Sequence, residues 1–166
     1  LNLLKTWKYM TKKELHNSEI DNTDIKILSL LLKDATIPYT EIGKKVFVSS
    51  GTVHVRMKKM MDLGIVQGST LLIDYSKLGY DINAFLGIYL QKSELYDSVV
   101  EKLKEIPEIL SLNYTTGNYS IFAKIICKDT KHLMEILHDK IQKVKGIERT
   151  ETFISLQESL NRQYPL

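Results

Sequence analysis

From Thr40 to Met60 the chain reads Thr-Glu-Ile-Gly-Lys-Lys-Val-Phe-Val-Ser-Ser-Gly-Thr-Val-His-Val-Arg-Met-Lys-Lys-Met. The run suits two short helices around a tight turn. Val53, Met57, Met60 and Met61 recur at three- and four-residue steps and predict a buried stripe on the second helix. Its start carries Ser49, Ser50, Thr52, His54 and Arg56 instead, and Lys44, Lys45, Lys58 and Lys59 flank it. One face is built for a core and another for an anion.

A helix that enters the major groove needs hydrogen-bonding side chains near its N-terminus and cations beside it for phosphates. Ser49, Ser50, Thr52, His54 and Arg56 are candidates for the first task, and Lys44, Lys45, Lys58 and Lys59 for the second. Positions 44 to 59 hold five Lys or Arg and no Asp or Glu, whereas the whole chain holds 23 basic and 20 acidic residues. Residues 1–80 contain 12 basic and 8 acidic residues and the remainder 11 and 12, which places the positive charge, and with it double-stranded DNA, on the first part. A basic helix alone would also fit a solvated amphipathic face. For Arg56 a salt bridge competes with a base contact.

The chain has 166 residues, 43% of them hydrophobic, enough for one full domain or two small ones. No stretch approaches the roughly 20 apolar residues of a membrane span, and the first residues lack the apolar core and cleavage site of a signal peptide. A cytoplasmic protein without a membrane partner is expected. Cys127 is the single cysteine, so an intrachain disulfide and a cysteine-cluster zinc site are excluded; a buried core thiol is the expected role, and neither metal nor cofactor is assigned. Residues 1–20 read as an N-terminal extension, either upstream sequence with Met10 as the natural start or a helical arm.

The first strong helix is predicted over Asn22–Lys33, with Asp21 as N-cap, Asp24 near the positive end of the dipole, and Ile25, Leu28, Leu31 and Leu32 as its apolar stripe. Pro38 opens the next helix, which turns Ile42 and Val46 inward; the following helix runs from about Ser49 to Leu63 and stops at Gly64. Residues 21–68 thus form a helix-turn-helix domain. Ile65–Asp74, β-rich around Gly68, suits a two-strand wing or the first strand of a linker, and residues 69–81 form the hinge.

Residues 82–158 read strand, helix, strand, strand, helix, strand: Ile82–Leu90, Leu95–Glu105, Ile109–Thr116, Tyr119–Lys128, Lys131–Lys143 and Ile147–Leu156. This is the split βαβ order of a ferredoxin-like fold, with a two-residue hairpin expected at Gly117-Asn118 and a tail over 159–166. The fold class is α+β: a winged helix-turn-helix domain followed by a ferredoxin-like βαββαβ domain. Helices cover one face of such a sheet. Because the first strand is apolar on both faces, a second copy of the chain is the simplest cover for the other.

The helix-turn-helix, the connector Gly64-Ile65-Val66-Gln67-Gly68, Lys77-Leu78-Gly79 and the complete βαββαβ half together resemble the leucine-responsive regulator and AsnC-type (Lrp/AsnC) transcription factors over residues 21 to about 158. By that resemblance Ser49, Thr52, Val53, His54, Arg56, Lys58 and Lys59 occupy the recognition helix, and Thr116-Gly117-Asn118-Tyr119 stands where a Gly-Asp turn is usual. The resemblance implies sheet-mediated homodimers, four dimers in a ring, pseudo-palindromic operators in genes of amino-acid and nitrogen metabolism, and a free amino acid bound between dimers near the turn. Two residues depart from the pattern. Phe47 replaces a usual glycine, which at positive φ would cost about 1 kcal/mol that a buried ring would offset. Asn118 replaces an aspartate, so an effector's ammonium would meet a neutral carbonyl rather than a carboxylate.

For such an effector Tyr114, Thr115, Thr116, Gly117, Asn118 and Tyr119 supply donors, acceptors and a wall, with Ser155 and Gln157 as further candidates. By itself Thr-Thr-Gly-Asn is only a turn. An enzyme is not expected: His16, His54, His132 and His138 are scattered, Cys127 lies in an apolar strand, and no phosphate loop, HExxH or GxSxG occurs. An effector-independent DNA-binding architectural regulator is the alternative, with a small-molecule-binding enzyme of ferredoxin-like fold behind it.

Overall fold

The computed structural model describes residues 19–166; the expected extension over 1–20 falls almost wholly outside them. They form two compact units, one reaching to Leu71 and including Asn161–Leu166, the other Leu72–Leu160. The expected hinge is therefore divided between the units, and most of the expected tail joins the first, where the Ser29 hydroxyl donates to the carbonyl of Leu166 at 3.1 Å.

The first unit is built on α1 (Asn22–Lys33), α2 (Tyr39–Val46) and α3 (Ser50–Asp62). Asp21 caps α1 by accepting from the backbones of Thr23 and Asp24, and the Asp24 carboxylate accepts from the Asp21 backbone, a reciprocal capping box. Ile27, Ile42, Val53, Met57 and Met60 form the buried core, with Leu28, Leu31, Val46 and Val48 packed against it. The stripe of α1 is rotated from the expected one. Leu32 is exposed, Ile25 lies outside the core cluster, and the inward positions are Asp24, Ile27, Leu28 and Leu31. An acid lies on the buried face because Arg56 meets it there.

The turn between α2 and α3 needs Gly43. The Val48 backbone donates to its carbonyl at 2.9 Å, and a Cβ at position 43 would stand 2.6 Å from the Val48 carbonyl oxygen. Phe47 ends α2 in the left-handed region at φ 61°. Its ring is 93% exposed, so the expected offset by burial does not occur. Residues 65–74 pair with no strand among the described residues. A hairpin across Gly68 would leave roughly three residues per arm, too few to hold a two-stranded ribbon.

In the second unit β1 (Ile82–Leu90), β2 (Ile109–Tyr114), β3 (Ile121–Cys127) and β4 (Ile147–Ser155) lie in the order β2-β3-β1-β4, each neighbouring pair antiparallel. Two helices, α4 (Tyr96–Lys104) and α5 (Thr130–Glu135, continued by a π-helical turn Ile136–Ile141), cover one face. Ala84, Leu86, Ile88, Ile121, Ala123, Ile125 and Cys127 alternate onto that face and pack with Val99, Leu103, Leu133 and Ile136. Burial of Cys127 pushes its thiol up to about 11. The hairpin is wider than expected: β2 stops at Tyr114 and β3 starts at Ile121. Neither Gly117 nor Asn118 has the positive φ of a two-residue type I′ turn. Thr115 instead closes the loop, its backbone donating to the Ser120 carbonyl at 3.3 Å and its hydroxyl to the Tyr119 carbonyl.

Candidate DNA-reading helix and effector turn

The start of α3 is fixed by Ser49, whose hydroxyl accepts from the Thr52 backbone at 3.0 Å and lies 2.8 Å from the Thr52 hydroxyl. This satisfies one of the orphan donors of the first turn. Ser50 and Thr52 are half-buried, and His54 is exposed with its ring edge-on to Tyr39 at 4.5 Å. Val53 must be removed from the groove-facing set, because it is fully buried in the core between α2 and α3.

For Arg56 the structure shows the salt bridge that competes with a base contact. Its Nη1 donates to Asp21 at 2.8 Å and to Asp24 at 2.9 Å, and Asp24 is 1% exposed. These bonds hold the Asp21 carboxyl below the usual carboxylate range and raise the guanidinium further. The side chain ties α3 to the cap of α1, which is the salt-bridge role rather than the base-contact role. Lys59 donates to the Glu19 carbonyl and Lys45 lies 3.7 Å from Glu41. Lys44 and Lys58 have no such partner among the described residues.

The outward face of α3 is therefore Gly51, His54, Val55 and Lys58, with Val55 71% exposed. Gly51 and Val55 are not among the groove-facing residues expected from the sequence. Their signal was the helical complement of the stripe Val53, Met57 and Met60. A Cβ at Gly51 would meet only the Ser49 hydroxyl at 3.7 Å, so packing does not demand glycine there.

The second site centres on the loop between β2 and β3. Thr116, Gly117 and Asn118 are exposed, and Tyr114 turns its ring toward Tyr96 at 4.5 Å. Tyr119 lies across β1: a Cβ on Gly87 would stand 2.4 Å from its ring. Its hydroxyl donates to Glu151 at 2.7 Å, and the same carboxylate takes the Tyr89 hydroxyl at 3.2 Å and Arg149 at 2.5 Å. Arg149 in turn lies over the Tyr89 ring at 3.6 Å. Held by these donors, the Glu151 carboxyl sits below its usual range, and the hydrogen bond to it pushes the Tyr119 phenol up to about 12.

Ser155 and Gln157 do not join this loop within one chain. Ser155 pairs with Asn83 at one end of β1, whereas the Ser120 backbone donates to Ile88 near the other. Five residues of strand separate them by about 16 Å.

The uncovered face of the sheet carries Phe85 stacked on Phe122 at 5.8 Å, Tyr119 against Phe122 at 5.9 Å, and Phe153, which is 45% exposed. Tyr119 thus belongs both to the loop and to this aromatic face. Replacing Gly87 by alanine should expel the ring, break the contact with Glu151, and let one tyrosine ionise near its ordinary value of about 10. An alkaline titration followed at 295 nm checks this: the wild type retains a phenol ionising at about 12, and the variant does not. Since the folded value is raised, the stability from this bond is present below the ordinary phenol value and lost as pH climbs through the folded one.

Residues 20–67 match the family described as winged helix-turn-helix DNA-binding, and residues 83–165 match the Lrp/AsnC ligand binding domain. The chain is 45% identical over 148 residues to the regulatory protein AsnC of Haemophilus influenzae, covering 89% of this chain and 97% of that protein. It is 40% identical to the regulatory protein AsnC of Escherichia coli K12 over the same shares. The solved structure of E. coli AsnC superposes with a TM-score of 0.84 at 39% identity, covering 89% of this chain and 99% of that one. A Neisseria meningitidis transcriptional regulator in complex with L-Met shares the fold with a TM-score of 0.82 at 22% identity, over 89% of this chain and 96% of that one.

Proposed function

We propose that this chain, which belongs to the Lrp/AsnC family of transcriptional regulators, couples DNA binding to a free amino acid received at the loop 114–119. It is a DNA-binding regulator with a ligand-binding domain. The observation that carries the finer reading is Tyr119. Its backbone closes the exposed loop, and its ring lies on Gly87 and reaches Glu151 on the uncovered sheet face. A ligand that orders this loop therefore acts on the surface through which copies of the chain would pair.

In this reading Asn118 offers its side-chain carbonyl to the ammonium, exposed backbone amides of 115–118 take the carboxylate, and Tyr114 or Tyr119 borders the side chain. The L-Met complex of the Neisseria meningitidis protein supports an amino acid as the ligand class. The aromatic face of Phe85, Phe122 and Phe153 supports a homodimer, with four dimers in a ring as the larger assembly. Ser155 and Gln157 enter the site only if another copy brings them to the loop. Genes of amino-acid or nitrogen metabolism are the targets, the cytoplasm is the location, and no reaction is assigned; no described helix is long and apolar enough to cross a membrane.

Thermal unfolding in the presence of each of the twenty amino acids tests the reading. A ligand at 100 times its dissociation constant stabilises the folded state by about 2.7 kcal/mol, and Asn118→Ala should abolish the shift. No shift with any amino acid would favour the effector-independent regulator, with the DNA-binding assignment left in place.

A further inference from the structure

Phe47 is the only non-glycine residue with positive φ among the described residues. A bulky side chain in the left-handed region is a genuine outlier, and here packing does not explain it. The ring is 93% exposed, while Val46 and Val48 on either side turn toward the core. The chain folds inward around the residue and leaves the ring outside. Ser49, the N-cap of α3, is two residues on. Phe47 lines, with Lys44, Ser49 and Ser50, an open cleft of about 580 Å³ at the start of that helix. The ring therefore projects from the end of α3 that a major-groove reader inserts.

We propose that Phe47 is a base-reading residue whose ring meets the 5-methyl group of a thymine in the major groove. The proposal rests on the DNA-binding assignment above. A groove edge is mostly hydrogen-bonding groups, and the thymine methyl is the apolar feature that a phenylalanine recognises. Backbone strain kept at a position where the core gains nothing is typical of residues held for function. A contact with a second copy of the chain would call for apolar neighbours, whereas Thr40, Lys44, Ser49 and Ser50 line the cleft beside the ring with charge and hydroxyls. These suit a polyanion with an apolar spot on its floor.

The test uses a duplex selected by the wild-type protein from a randomised pool, and the same duplex with deoxyuridine in place of every thymine of the site, which removes only the methyl groups. Fluorescence anisotropy gives the affinities of wild type, Phe47→Gly and Phe47→Asn for both. Phe47→Gly should melt at a higher temperature than wild type, because glycine accepts the positive φ. Its affinity for the thymine duplex should fall about tenfold, the lower part of the range for one base contact. Wild type should lose the same factor on the uracil duplex, and Phe47→Gly and Phe47→Asn nothing further. Wild-type affinity in Phe47→Gly, an undiminished uracil penalty in either variant, or a changed assembly mass in place of changed affinity would each overturn the proposal. A wild type that selects no duplex overturns both it and the DNA-binding reading.

Discussion

Replacing Arg56 by alanine is expected to destabilise the helical unit by about 3 kcal/mol, the low end for removing one partner of a buried ion pair. Asp24 is 1% exposed, and its Oδ1 takes Arg56 at 2.9 Å. Without the guanidinium a carboxylate is left inside the core beside Ile27, and the apolar stem of the arginine is lost too. Calorimetry should show the transition of this unit moving down in temperature while that of the sheet unit stays. Substituting both partners, as Arg56→Leu with Asp24→Leu, should recover most of the loss, since the unpaired charge is gone. If Arg56→Ala melts with wild type and changes only discrimination among DNA sequences, the base-contact role returns.

Arg56 also sets an acid dependence, through Asp21. Hydrogen bonds from Arg56 and from the Asp24 backbone hold the Asp21 carboxyl below its ordinary value, about 3.9 in an unfolded chain. A depressed carboxyl contributes stability that is present above the unfolded value and lost as pH falls through the folded one. Stability measured from pH 5 downward should therefore fall less steeply in Arg56→Ala than in wild type.

Replacing Lys44 and Lys58 together should weaken DNA binding by about a hundredfold or more near physiological salt. With Lys45 facing Glu41 and Lys59 bonded to the Glu19 carbonyl, Lys44 and Lys58 are the lysines of this group with no partner among the described residues. Each phosphate contact contributes roughly 0.9 to the slope of log affinity against log salt. Two such contacts on each of two copies give a change of about 3.6 in that slope. A salt titration of Lys44→Ala, Lys58→Ala against wild type on the selected duplex reads it directly. An unchanged slope would mean that these ammonium groups do not meet phosphates.

Local signals carried much of the fold. Asp21, Asp24, Pro38, Ser49 and Gly64 punctuate the helices by hydrogen bonding and φ preference within a few residues, so the bounds of α1 could be read directly. The succession strand, helix, strand, strand, helix, strand followed from the β-rich and helical runs between turn signals. What escaped depended on distant partners. The sequence places Asp24 near the positive end of the α1 dipole but does not show its burial, because the arginine that permits it lies 32 residues away. Val53 was assigned to the groove through resemblance although its own spacing with Met57 and Met60 marked it as core. Gly117-Asn118 looked like a two-residue hairpin, but the Thr115 bonds widen the loop. Ser155 was joined to that loop by sequence logic, while the register of β4 on β1 carries it to the other end. The sequence could place Phe47 at a turn, not show that its ring would stay outside.

One chain is thus expected to read DNA with α3 and to sense an amino acid at the loop 114–119. Anisotropy titration of the selected duplex, with and without each of the twenty amino acids, tests both halves together. At least one amino acid should change the affinity or the stoichiometry on the duplex, with no such change in Asn118→Ala. Tight, salt-dependent binding that no amino acid alters would contradict the coupling, and the absence of duplex binding would contradict the whole.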